Sequence, residues 1–205
     1  YIRVLTGHPI FAYVLLSWFI FGAANLAMIP QTFELLSQEK YGFNLSPGGV
    51  AIVLGVVPEL TRLLFIQVWA RIFDRFHIIT VRIVINAFWL AYMILFFQSG
   101  SLWLVCVGVA CRGIGFAGGA ITWNLWVTRF ATPEETSKYM AIHTFMTGVR
   151  GVTAPYLAYL FVDAFSIRTA GWVAAGLVVL ATVMLIPLRR YETQKAVPPV
   201  DTSGK

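Results

Sequence analysis

Residues 78–98, IITVRIVINAFWLAYMILFFQ, and residues 101–128, SLWLVCVGVACRGIGFAGGAITWNLWVT, are two long apolar runs separated only by Ser99 and Gly100. The hydrocarbon core of a bilayer takes about 20 mostly apolar residues of α-helix. Each run is long enough to cross it, and the link is too short to do anything but reverse the chain. The pair reads as a hairpin of membrane-spanning helices.

Working outward, four more stretches of the same kind appear, giving six in all: 9–33, 48–70, 78–98, 101–128, 137–162 and 168–188. Hydrophobic residues make up 59% of the 205-residue chain and charged residues only 12%. Soluble domains carry about 25% charged residues, so half the usual solubilising charge is missing. The expected fold is an all-α integral membrane domain over residues 1–190, embedded in a lipid bilayer, with a disordered polar tail at 191–205. Helix-start signals support it. Ser46-Pro47 supplies an N-cap and a first-turn proline for the second span, and Thr132-Pro133-Glu134-Glu135 reads as a capping box for the fifth.

Basic residues report orientation when they cluster on one side. With both termini on the same side, that side holds ten: Arg3, Arg71, Arg75, Arg82, Arg129, Lys138, Arg189, Arg190, Lys195 and Lys205. The other side holds two, Lys40 and Arg168. The asymmetry places both termini in the cytoplasm, and it accounts for the net charge of +6 without a nucleic-acid partner. Cys106 and Cys111 point about 140° apart on a helix and read as small packing residues with no metal-ligand spacing. The first run is too long for a signal peptide and is followed by further spans. A start at Tyr1 rather than methionine reads as a piece of a longer protein.

Four charges fall well inside spans: Glu59, Arg62, Arg112 and Arg150. Glu59 and Arg62 together cost about 6 kcal/mol on insertion scales, against about 5 kcal/mol returned by the apolar residues of their helix. A helix so balanced needs neighbours, which points to a bundle interior or a water-filled cavity. The two are spaced i, i+3 and can neutralise each other, and Pro58 beside them permits a kink. Gly108, Arg112, Gly115, Gly119 and Trp123 form one stripe of the fourth span. Small residues in such a stripe allow close helix crossings.

The fifth span aligns His143, Thr147, Arg150 and Ala154, with Gly148, Gly151 and Pro155 nearby. On the first span Trp18 and Asn25 share a face, with Thr32 beyond Pro30. Each of these has a plain packing reading beside the functional one. His143 can be a satisfied core histidine, and Asn25 a simple inter-helix hydrogen bonder. The four buried charges sum to +2, so either acidic partners lie outside this stretch or the cavity accepts anions.

Between the second and third spans stands Ala70-Arg71-Ile72-Phe73-Asp74-Arg75-Phe76-His77. It resembles the cytoplasmic loop motif of major facilitator superfamily transporters, Gly-x-Leu-x-Asp-Arg-x-Gly followed by basic residues. Asp74 and Arg75 match and Ile72 is conservative. Ala70 and His77 replace the glycines, while Ile78 and Ile79 stand where basic residues are usual. Arg112-Gly113-Ile114-Gly115 is similar to the Arg-and-Gly motif of the family's fourth helix. Gly148-Val149-Arg150-Gly151-Val152-Thr153-Ala154-Pro155 resembles the Gly-rich, Pro-ended motif that follows it. The segment from Trp123 to Gly151 also resembles bacterial members, which implies the bacterial inner membrane.

The resemblance spans residues 5–190 and implies the C-terminal six-helix half of a twelve-helix secondary transporter, each half a 3+3 inverted repeat. The two three-helix units do not align convincingly with each other in sequence. The implied partner is an N-terminal six-helix half of the same chain, and the implied cargo a small solute, with no cofactor. In this picture Asn25, Glu59, Arg62, Arg112, Arg150 and His143 face substrate or coupling ion, the latter a proton. Asp74 and Arg75 contribute a cytoplasmic latch. Gly108, Gly115, Gly119, Gly148, Gly151 and Pro155 shape the helix packing. The competing readings are a half-size channel or scaffold and a membrane-embedded enzyme. For an enzyme, however, His8, His77 and His143 are scattered and only Glu59 among the acids lies deep in a span.

Overall fold

The structure is a computed structural model and describes residues 2–195. A short helix α1 (Ile2–Gly7) leads into α2 (Pro9–Ser37). Helix α3 (Pro47–Ala51) passes through a π-helical turn, Ile52–Val56, into α4 (Val57–Arg75) without a break. Then follow α5 (Ile78–Gln98), α6 (Leu102–Leu125), α7 (Thr136–Ala164) and α8 (Ile167–Lys195). Among the described residues five segments are long and apolar enough to cross a membrane: α2, the continuous Pro47–Arg75 rod, α5, α6 and α8. Helix α7 is as long as α2 but falls outside that group.

The helix starts follow local chemistry. Ser46 caps α3 by accepting from the Gly49 N–H, with Pro47 at the first helical position. The capping box expected at Thr132–Glu135 does not form. These residues make a turn, and α7 begins at Thr136 with no side-chain cap. The Thr132 side chain hydrogen-bonds Glu134 instead. A bond from the residue's own backbone N–H, and secondarily the one from Thr132, holds the Glu134 carboxyl below its ordinary pKa. At the other end α8 runs to Lys195, so residues 191–195 are helical where a disordered tail was expected, and residues 196–205 lie outside the described residues.

The π-helical turn sits where sequence placed a kink. Proline 58 has no N–H to return to the fourth residue back, and the Val57 N–H bonds the Ile52 carbonyl five residues back. One extra residue is thereby absorbed without breaking the rod.

Each long helix packs mainly on one or two others, in the spatial order α4, α6, α5, α8, α2, α7. The result is an arc with α4 and α7 at its ends. Glycines set the approach along it. A Cβ on Gly108 would press on Leu95 and the Phe96 backbone at 3.1 Å, and one on Gly115 would meet the Trp89 ring at 2.9 Å, which locks the α5–α6 hairpin. Between α5 and α8, Asn86 Nδ2 donates to Thr182 Oγ1 at 3.0 Å, and Gln98 Nε2 donates to the Arg168 carbonyl at 2.9 Å. Between α2 and α8 the Ser17 hydroxyl donates to the Ala181 carbonyl at 2.7 Å. In an apolar medium such polar contacts hold helices that the hydrophobic effect does not.

Candidate functional site

The two ends of the arc carry the charges. Helix α4 lies against α6, and their closest approach is at Gly113, where a Cβ would collide with the Pro58 carbonyl and the Thr61 hydroxyl. Two turns on, the Trp69 indole N–H donates to the Ile114 carbonyl at 2.8 Å, in space left by Gly118. Glu59 and Arg62 lie on the flank of α4, roughly 60–120° round from the stripe that meets α6 at about 100° per residue. Their predicted ion pair forms at 3.1 Å, but this chain does not bury it: the Arg62 and Glu59 side chains are 42% and 60% exposed. The interior position expected for them is therefore not supplied by these six helices, because α4 is an end helix with α6 on one side only. Arg112 lies half-buried on α6, 5.7 Å from the Tyr92 ring and 5.5 Å from the Phe116 ring.

At the other end α7 lies along α2. His143 is 1% exposed and packed among three indoles, with ring centroids 4.1 Å from Trp123, 5.1 Å from Trp126 and 5.6 Å from Trp18. Arg150, one to two turns further, is 5% exposed. Its Nη1 donates to the Trp18 carbonyl and its Nη2 to the Thr147 hydroxyl at 3.3 Å. Gly22 on α2 makes the room, since a Cβ there would overlap the guanidinium.

Opposite, from α5, comes Arg82. Its guanidinium carbon lies 3.7 Å from the Trp18 ring centroid and 4.1 Å from that of Phe21. It is 4% exposed, so it is a buried cation and not the surface residue that the charge count expected. The signal was present: Arg82 stands inside the apolar run 78–98, as its fifth residue, and the rule applied to Arg112 and Arg150 covers it too.

The structure thus brings together Arg150 and His143 with the overlooked Arg82, around Trp18. It places Glu59, Arg62 and Arg112 on the α4–α6 side. Asn25 is buried on α2 three residues beyond Gly22, and its Oδ1 has no hydrogen-bond partner among the described residues. Thr32 is buried too, but its hydroxyl is spent on the Ile29 carbonyl, one residue before Pro30. Asp74 and Arg75 stand exposed at the end of α4, where a cation suits the carbonyl end of the helix dipole.

Of the packing glycines, Gly108 and Gly115 make the expected contacts. A Cβ on Gly119, Gly148 or Gly151 would meet nothing within 4 Å, so these three make no close crossing among the described residues. Gly113 and Gly118 do the close work at α4, and Gly22 does it at α7. Pro155 sits half-buried inside α7 without ending it.

Aromatic rings, a backbone carbonyl and the Thr147 hydroxyl are what the two buried guanidinium groups have for company. Faces of indole and phenyl rings attract cations electrostatically, but a ring does not cancel a full charge. Such residues within membrane helices are costly and mark pathways for ions or substrates by default.

A search of curated proteins and a search of solved structures each return no match. The family model of the Major Facilitator Superfamily matches residues 9–203, nearly the whole chain and all six long helices. With the charged turn at Asp74-Arg75, the Arg-Gly pattern of α6 and the Gly-rich, Pro-bearing α7 in their expected order, the chain belongs to the major facilitator superfamily.

Proposed function

We propose that this chain is one six-helix half of a secondary active transporter. It would move a small solute by alternating access, coupled to a proton gradient, across the bacterial inner membrane. The observation that carries the reading is the neighbour pattern. Exchanging α2, α4, α5 for α6, α7, α8 turns the α4–α6 contact into α7–α2 and the α6–α5 contact into α2–α8, and it leaves α5–α8 unchanged. Every principal contact maps onto another, as a pseudo-two-fold 3+3 repeat requires.

The sixth crossing is supported in the same way. Helix α7, about 43 Å long at 1.5 Å per residue, runs parallel to α2. Tyr139 meets His8 and Phe11 near the start, and Arg150 meets Trp18 and Gly22 further on. An apolar cleft of about 240 Å³ follows, with Ala27 and Met28 of α2 on one side and Ala154 and Phe161 of α7 on the other. A helix in parallel register with a membrane span crosses with it. Its low apolarity then fits a wall of a water-filled path. Among its outward residues are Phe145, Val152, Tyr156 and Tyr159, and α4 offers Leu60, Leu63 and Leu64. These end faces are where the N-terminal half would dock. The Glu59–Arg62 pair would then border the path, with Glu59 as the proton carrier and Asp74-Arg75 at the cytoplasmic latch.

Two experiments test this. Cells expressing the full-length protein are compared with empty-vector cells for accumulation of a panel of small solutes, with and without a protonophore. Protonophore-sensitive accumulation of at least one solute is expected, and identical profiles would overturn the reading. Topology is tested by single cysteines and an impermeant reagent in intact cells. Ser37→Cys, Ser99→Cys and Ser166→Cys should react, whereas Thr136→Cys and Thr193→Cys should not; the reverse pattern would invert the orientation.

A further inference from the structure

We propose that Arg82 and Arg150, with His143 beside them, form a receptor for one oxyanion group of the transported solute; this rests on the transporter reading. The argument starts from charge. The chain has nine acidic residues; the side chains of seven are described, and none of the seven pairs with either arginine. The ion pairs among the described residues are Lys40–Glu34 and Arg62–Glu59, both elsewhere. A cation removed from water without a counter-charge is strongly unfavourable, and here two guanidinium groups are directed at the same segment of α2.

Their donors are not used up. Arg82 Nη2, Arg150 Nε and both ring nitrogens of His143 are buried without hydrogen-bond partners among the described residues. Buried polar nitrogens are normally satisfied, and a neutral imidazole has one N–H to give, so three open donors in one cluster identify a place where acceptor oxygens belong.

The same burial says what kind of acceptor fits. With Arg82 and Arg150 at 4% and 5% exposure, no surface remains for a carboxylate carried on a neighbouring bundle. A group small enough to enter between helices is needed. The guanidinium fork matches paired oxygens of a carboxylate, nitrate or phosphate better than a spherical ion. Trp123 and Thr147, both half-buried and in contact with Arg150 or His143, mark the open edge. Arg82 is held from α5 and Arg150 from α7, so a bound oxyanion would bridge an inner helix of the arc to an end helix. Binding there would bias the position of α7.

The test uses the full-length protein in neutral detergent, with melting temperature read against acetate, nitrate and inorganic phosphate at constant ionic strength. At least one should raise the melting temperature saturably by several degrees. Arg82→Gln and Arg150→Gln should each lose the rise, while Arg71→Gln, at the exposed end of α4, keeps it. Arg82→Lys and Arg150→Lys retain the charge but not the fork, and should weaken binding about tenfold, about 1.4 kcal/mol. They keep the test decisive if a glutamine variant does not fold. A rise that is non-saturable, or unchanged in all four arginine variants, overturns the site. So does a rise produced only by phosphatidylglycerol, compared with phosphatidylcholine alone, in nanodiscs. Saturable binding in a protein that accumulates no solute would leave the site standing and overturn the transporter reading instead.

Discussion

The α4–α6 and α2–α7 contacts are equivalent in the arc, yet they handle charge in opposite ways. At the first, the glycine of the inner helix, Gly113, faces backbone and a hydroxyl, while the charges of α4 point outward as a neutral pair. At the second, the inner glycine, Gly22, faces a guanidinium, and the charge of α7 points inward with no acid to meet it. The contrast shows what an i, i+3 acid does for an arginine. With Glu59 one turn away, Arg62 needs nothing from another helix and can wait for whatever covers α4. Arg150 has no such neighbour and depends on a carbonyl, a hydroxyl, the Trp123 ring and a gap where a side chain is absent.

The largest way to break this comparison is at Gly113. Gly113→Leu drives a side chain into the Pro58 carbonyl, which is backbone and does not rotate away. Overpacking typically costs about 1–3 kcal/mol, so the detergent melting temperature should fall sharply, and a neutral result would show that the α4–α6 contact is looser than described. Next is Arg150→Met. Removing a lone buried cation in favour of an apolar side chain is often neutral or stabilising. The variant should melt at or above the wild-type temperature while solute uptake falls about tenfold or more, on the order of 1.4 kcal/mol. Uptake at the wild-type rate would make the cluster purely structural.

Smaller is Gly22→Ala. Its Cβ meets the far end of a flexible side chain, so the cost should be about 1 kcal/mol and should vanish in the Arg150→Met background. Full additivity in that cycle would show that the two residues do not touch. Smallest is the double change Glu59→Gln with Arg62→Met. Exposed ion pairs contribute about 0–1 kcal/mol, and the melting temperature should hardly move. A marked loss of stability would mean that the pair is buried by something within this chain, and an unchanged pH dependence of uptake would remove Glu59 as the proton carrier.

Much of this was legible beforehand. Helix positions came through to within a few residues, because a bilayer demands some 20 apolar residues in a row and little else produces them. The Glu59–Arg62 pair came through because i, i+3 adjacency is a property of one helix. The helix start at Thr136 was misplaced, since Thr132 turned its hydroxyl to Glu134 rather than to a backbone N–H, and both choices use the same residues. Arg82 was misread because its place near the edge of an apolar run suits a cytoplasmic cation as well as a buried one. Packing against Trp18 and Phe21 decided the matter.

The sequence by itself determined that this is a helical membrane protein, where its helices run and which family motifs they carry, since all of these depend on composition and spacing along one strand of chain. Only the tertiary structure decided which helices are neighbours, which glycines matter and which arginines share a site. Gly113 and Gly119 look alike in the same run, yet one faces a backbone carbonyl and the other open space. Arg82 and Arg150 are far apart in the chain, and nothing local to either refers to the other. Their meeting depends on α5 and α7 both reaching the same two turns of α2, an outcome of close packing between non-adjacent segments that no local pattern encodes.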